Sequence, residues 1–195
     1  TPIKSSAASD VYKRQVWLTK QCISFDLIEK DLFEWCVYSF EKRITSLLTW
    51  VFLLTIGFYF FGVIHTIAFV GSFLFLRKYT NGYHASTYLG CLMLSILVEL
   101  FGLTFAQSLP LIPAVIMVCL SDIVIMIYAP CNDIKIHLNA AENLALKTKI
   151  RRCVLLLNGI YIILAIIQSS ISNYIAVALA ADAISLKVKN NKFHN

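Results

Sequence analysis

Between Ile44 and Leu76 the chain runs for 33 residues without a Lys, Arg, Asp or Glu. Few folds can absorb such a run. About 20 apolar residues in a helix cross the ~30 Å hydrocarbon core of a bilayer, where every backbone polar group must be bonded within the segment. A second stretch, Tyr79 to Asn132, has Glu99 and Asp122 as its only carboxylates and no Lys or Arg. Soluble domains cover their surface with roughly a quarter charged residues. Here 14% are charged and 58% hydrophobic, with a mean hydropathy of +0.73. The pattern predicts an all-α polytopic integral membrane protein.

Six short spans are expected, over 45–61, 63–76, 91–107, 110–128, 153–168 and 171–186. Several sit at or below the usual lower limit of about 17 residues, so four spans plus two re-entrant segments is the alternative. The joints read "FFGVIH", "QSLPLIP" and "QSSISN" and contain no Lys or Arg. All 17 basic residues lie elsewhere: before the first span, at Arg77-Lys78, in a polar loop over 130–152, or near the end at Lys187, Lys189 and Lys192. By the positive-inside rule both termini and both polar loops belong in the cytoplasm.

Outside the spans, residues 1–15, "TPIKSSAASDVYKRQ", read like translated sequencing-adapter sequence, with a native polar arm as the alternative. Residues 20–44 place Phe25, Ile28, Leu32 and Trp35 at helical spacing, with Asp26, Glu29, Lys30 and Glu34 on other faces. An amphipathic helix along the cytoplasmic membrane surface is expected there. Residues 45–187 are read as one transmembrane domain and 188–195 as a cytoplasmic tail.

The ionisable groups missing from the spans gather in "RKYTNGYHASTYLGC", residues 77–91. A cysteine acts as a nucleophile when it is a thiolate, which needs a nearby base or positive field. His84 precedes Cys91 by seven positions, and Arg77 and Lys78 share the loop. A helix starting near Cys91, capped by Ser86 or Thr87, would add partial positive charge and spare N–H groups. One geometric condition follows. Seven residues along a straight helix rise ~10.5 Å, so imidazole and thiol can meet only if the chain bends between them. Asn81-Gly82 and Gly90 are the places for such a bend. A packing cysteine and a loop histidine are the plain alternative. The other cysteines, 22, 36, 119, 131 and 153, are expected as thiols in a reducing compartment. Glu99, Asp122 and Asp182 are expected to pair between helices, since a lone carboxylate in a membrane is costly.

This segment resembles the signature of the AgrB family of membrane cysteine endopeptidases, and the likeness extends over about residues 20–190. The resemblance implies Cys91 as nucleophile, His84 as its base, and Arg77 and Gly82 as supporting positions. It implies a partner, an AgrD-like amphipathic propeptide. Its C-terminal tail would be cut through an acyl-enzyme thioester, and its remainder closed into a thiolactone or lactone autoinducer for quorum sensing. Lys135, Lys147, Lys149, Arg151 and Arg152 would then face the acidic tail of that substrate. The lipid bilayer is the other partner and a homodimer is compatible with the resemblance, while no cofactor and no nucleic acid are expected. Two other classes stay open. One is a zinc-dependent membrane protease using His84, Cys91, Cys131 and His137, although H-x6-C and C-x5-H fit no common zinc spacing. The other is a non-enzymatic scaffold or exporter component.

Overall fold

The computed structural model describes residues 16–17, 20–21, 23, 33–83, 87–131 and 140–194. Among these residues the architecture is all-helical, with no strand. Helix α1 spans Phe33–Phe61. A second rod joins α2 (Val63–Thr66), a π-helical turn (Ile67–Gly71) and α3 (Ser72–Thr80). Then come α4 (Tyr88–Gln107), α5 (Leu111–Tyr128), α6 (Ala140–Ile166) and α7 (Ile171–His194). Each expected span thus falls on a helical segment. Among the described residues three helices are long and apolar enough to cross a membrane: Leu89–Gln107, Leu111–Tyr128 and Ile171–Asn191, with Ser46–Phe61 a shorter apolar helix.

The chain divides into two compact units, Thr1–Phe52 and Leu53–Asn195, and the division falls inside α1. In the first unit the backbone is helical from Phe33 without a break at 44/45, and residues 24–32 of the expected amphipathic helix lie outside the described ones.

The second unit is organised around α7. This helix packs against the π-turn rod, α4, α5 and α6, and 56% of its apolar window is buried against 22% for α4 and α5. The reason lies in its composition. Ala176, Ala178 and Ala183 let neighbouring backbones approach closely, and within a bilayer such close packing replaces the hydrophobic effect as the driving force. Ile175, Leu179 and Leu186 complete a core with Phe69, Leu76, Leu103, Ile125 and Val154. The outward faces of α4 and α5, with Leu97, Phe101, Ile116 and Ile123, remain exposed apolar surface suited to lipid.

The joints use backbone chemistry that the sequence signals. Gly62 takes φ +83°, a conformation that favours glycine, and turns α1 into α2. Pro110 stands at the N-cap of α5. Asn173 donates to the carbonyls of Ala106 (3.2 Å) and Leu109 (2.8 Å), satisfying the end of α4 from the start of α7. His65, at the joint after α1, stacks on Tyr174 with ring centroids 4.7 Å apart. It is a packing histidine here.

The expected polar loop over 130–152 is shorter than its composition suggested. Helix α6 already begins at Ala140. "AAENLALKTK" consists largely of strong helix formers, whose intrinsic preference outweighs their polarity. At the other end, α7 runs on to His194, so residues 188–194, read from sequence as a tail, continue the helix.

Candidate functional site: a polar notch held by the last helix

Helix α3 stops at Thr80 because Asn81 adopts the left-handed conformation, φ 54°, ψ 44°. Residues 81–83 are non-helical, and α4 starts at Tyr88. Thr87 is extended (φ −119°, ψ 149°) and its side chain accepts from the Gly90 amide at 3.2 Å, a standard N-cap. Cys91 therefore sits in the first turn or so of α4, its N–H donating to the Thr87 carbonyl at 3.0 Å. Side chains on a helix lean toward its N-terminus, which aims the Cys91 thiol at the notch end. The required interruption between α3 and α4 is present. His84 and Ser86 themselves lie outside the described residues.

Arg77 occupies the floor of the notch. Its Nη1 donates to Ser185 Oγ and its Nη2 to the Tyr83 carbonyl, while Asp182 Oδ1 lies 3.9 Å away. Burial pulls the guanidinium pKa down from its usual value. The nearby Asp182 carboxylate opposes it most, and Cys91 and Cys131 lie within the guanidinium's electrostatic reach. Arg77 and Cys91 thus share one electrostatic neighbourhood. Gly82 has a role other than turning the chain: its φ is not positive. A Cβ there would overlap the Arg77 guanidinium and stand 2.6 Å from Ser185 Oγ, so the position needs the smallest residue for close approach.

The opposite wall is one face of α7. Asp182 Oδ1 accepts from Thr80 Oγ1 at 3.1 Å. Ser185 Oγ accepts from the Tyr83 amide at 3.0 Å. Lys189, although basic, is buried and donates to the Asn81 carbonyl at 2.7 Å. Positions 182, 185 and 189 lie at i, i+3, i+7, so one stripe does all of this. Cys131 closes the far side: its amide donates to the Thr80 carbonyl at 3.1 Å and its carbonyl accepts from Asn81 Nδ2 at 3.2 Å. Burial pushes the Cys131 thiol pKa up, against Lys189 and Arg77. It is a structural cysteine rather than a second nucleophile.

Residues 15–186 match the family model described as Accessory gene regulator B, AgrB. The chain belongs to the AgrB family. No curated protein and no solved structure matches it. The family is known for processing autoinducer propeptides and implies an AgrD-like propeptide partner in a membrane setting.

In this AgrB-family chain the sequence-derived site residues are distributed unevenly. Cys91, Arg77 and Gly82 converge on the notch. Among the basic positions, Lys147, Lys149, Arg151 and Arg152 are exposed on α6, around the face opposite Ile150, Cys153 and Val154, which are buried. Lys78 is near enough to Cys153 for its charge to act on that thiol, so this basic turn lies toward the Arg77–Lys78 end of α3. Lys135 is outside the described residues, as is His137 of the zinc alternative. Sequence reading missed Thr80, Ser185 and Lys189. For Ser185 and Lys189 the signal was a polar stripe at helical spacing with Asp182.

Of the carboxylates, Asp182 pairs as expected, and Asp122 Oδ2 accepts from Asn158 Nδ2 at 2.6 Å between α5 and α6. Glu99 differs. It is buried, and neither oxygen has a hydrogen-bond partner among the described residues.

Proposed function

We propose that this protein is a membrane-embedded cysteine endopeptidase. It removes the C-terminal tail of an AgrD-like propeptide and promotes cyclisation of what remains into a thiolactone or lactone. The observation that carries the reading is that Cys91 stands in the first turn of α4, which begins at Tyr88 with Thr87 as its N-cap and is separate from the helix that bears Arg77. Family membership and the nearby Arg77 charge support it.

The chemistry runs in two steps. The Cys91 thiolate attacks the carbonyl at the tail junction, a C–S bond forms, and the C–N bond breaks as His84 gives its proton to the departing amine. A thiol or hydroxyl within the bound peptide then gives its proton to the now neutral His84 and attacks the thioester; the C–S bond to Cys91 breaks, the ring closes and Cys91 returns to the thiolate. A site at the membrane face limits water and so favours ring closure over hydrolysis. Both termini and the notch face the cytoplasm in this reading, which the distribution of Lys and Arg supports. The exposed bases Lys147, Lys149, Arg151 and Arg152, with Lys135, attract the acidic tail of the substrate.

The test is co-expression with a tagged propeptide and a gel-based reading of tail removal. Cys91→Ala abolishes processing, and His84→Ala slows it by about 100-fold or more, with both variants still recovered in the membrane fraction. Wild-type cleavage by Cys91→Ala overturns the assignment.

A further inference from the structure

Two positions on α5 and two on α6 form a polar ladder within the expected spans 110–128 and 153–168. Asn158 Nδ2 donates to Asp122 Oδ2 at 2.6 Å. One turn away, Cys119 on α5 and Tyr161 on α6 lie within electrostatic reach of each other. Asp122 follows Cys119 by three residues and Tyr161 follows Asn158 by three, so the two rungs match antiparallel helices and face one another. Tyr161 is 4% exposed. Its hydroxyl, Asp122 Oδ1 and Asn158 Oδ1 are buried and have no hydrogen-bond partner among the described residues. Buried polar atoms are normally satisfied, because leaving them unpaired is costly. Three such oxygens at one helix interface call for a shared partner. Ser121 does not supply it, since its hydroxyl donates to the Met117 carbonyl at 2.6 Å.

Charge decides which partner fits. Two of the three oxygens can only accept, and the phenol has one proton to give. No Lys, Arg or His occurs in α5 or in residues 153–166 of α6. The 2.6 Å contact is shorter than the ~2.9 Å of a neutral N–H···O bond, as expected when the acceptor is an ionised carboxylate. An ionised carboxylate within a span needs a positive partner. We propose that Asp122, Asn158 and Tyr161 form a binding site for one small monovalent cation of the sodium type, which ties α5 to α6. Carboxylate, amide carbonyl and phenol are hard oxygen donors, suited to a hard ion. One carboxylate balances one positive charge, whereas a divalent ion leaves a surplus charge in the bilayer. Because α5 packs chiefly on α7, the ion adds to the Asp122–Asn158 bond as a tie to α6. The site is separate from the notch and does not rest on the endopeptidase reading.

The experiment follows thermal unfolding of the full-length protein in detergent at neutral pH, with sodium chloride replacing choline chloride at constant ionic strength. The wild-type midpoint rises with sodium and saturates, by roughly 5 °C at about 100 times the dissociation constant. Asp122→Asn, which keeps the shape and removes the charge, loses the rise. Tyr161→Phe, which removes one oxygen, needs several-fold more sodium for half of it. Glu99→Gln, a change at a buried carboxylate on another helix, keeps the wild-type response. Equal midpoints in sodium and choline chloride overturn the proposal. So does a midpoint that rises on acidification alone with no sodium dependence, which marks a proton on Asp122 in place of the ion. A sodium response that persists in Asp122→Asn places the ion elsewhere and overturns it as well. If Asp122→Asn is not recovered from the membrane, Tyr161→Phe decides, and an unchanged sodium titration in that variant refutes the site.

Discussion

Asp182 and Glu99 make an instructive pair. Both are carboxylates within candidate membrane spans, at 0% and 1% exposure. Around Asp182 stand a hydroxyl from Thr80, the Arg77 guanidinium and, one turn on, Ser185. Around Glu99 stand Gly57, whose missing side chain makes the room, and Thr66, whose hydroxyl already donates to the Gly62 carbonyl. The first carboxylate organises a polar junction among segments distant in sequence. The second is enclosed without being engaged. Burial alone therefore does not mark a functional acid in this protein; what matters is what the acid holds in place.

Three substitutions press on this contrast. Arg77→Met leaves Asp182 without its cation and Tyr83 without its donor. Breaking one side of a buried charged pair costs about 3–5 kcal/mol, read as a lowered midpoint in detergent thermal unfolding. A loss below about 1 kcal/mol would place Asp182 with Glu99 as a bystander. Gly82→Ala drives a methyl into the guanidinium while leaving every charge in place, and overpacking of this kind costs about 1–3 kcal/mol. If Gly82→Ala matches wild type in unfolding, the close approach of Arg77 is not needed. Glu99→Gln, which keeps the shape and removes the charge, changes stability by less than about 1 kcal/mol, because no partner is lost. A fall as large as that of Arg77→Met would mean the two carboxylates do equivalent work.

The span pattern was legible in the sequence because the hydrophobic requirement of a bilayer acts on runs of residues. Each expected span lies on a helix, from Ser46–Phe61 to α7. Local punctuation was legible too. Asn81 ends α3 and Thr87 caps α4, both through backbone chemistry set within a few residues. The wall of the notch was not. Ser185 and Lys189 are 108 residues from their partners Arg77 and Asn81, and no local rule relates positions so far apart. At Asn81-Gly82 the bend was legible but not the division of labour: Asn81 takes the left-handed turn, and the space beside Gly82 is taken by Arg77. In α6 the positive charges of Lys147 and Lys149 suggested loop, yet Lys is also a good helix former, and Ile150, Cys153 and Val154 supply the buried stripe.

The stripe on α7 also has a consequence for biosynthesis. A chain emerging from the ribosome delivers Arg77, Thr80 and Asn81 about a hundred residues before Ser185, Asp182 and Lys189, so the notch lacks its opposite wall until the final helix is made. Until that helix packs, the Arg77 guanidinium is without its Ser185 and Asp182 partners.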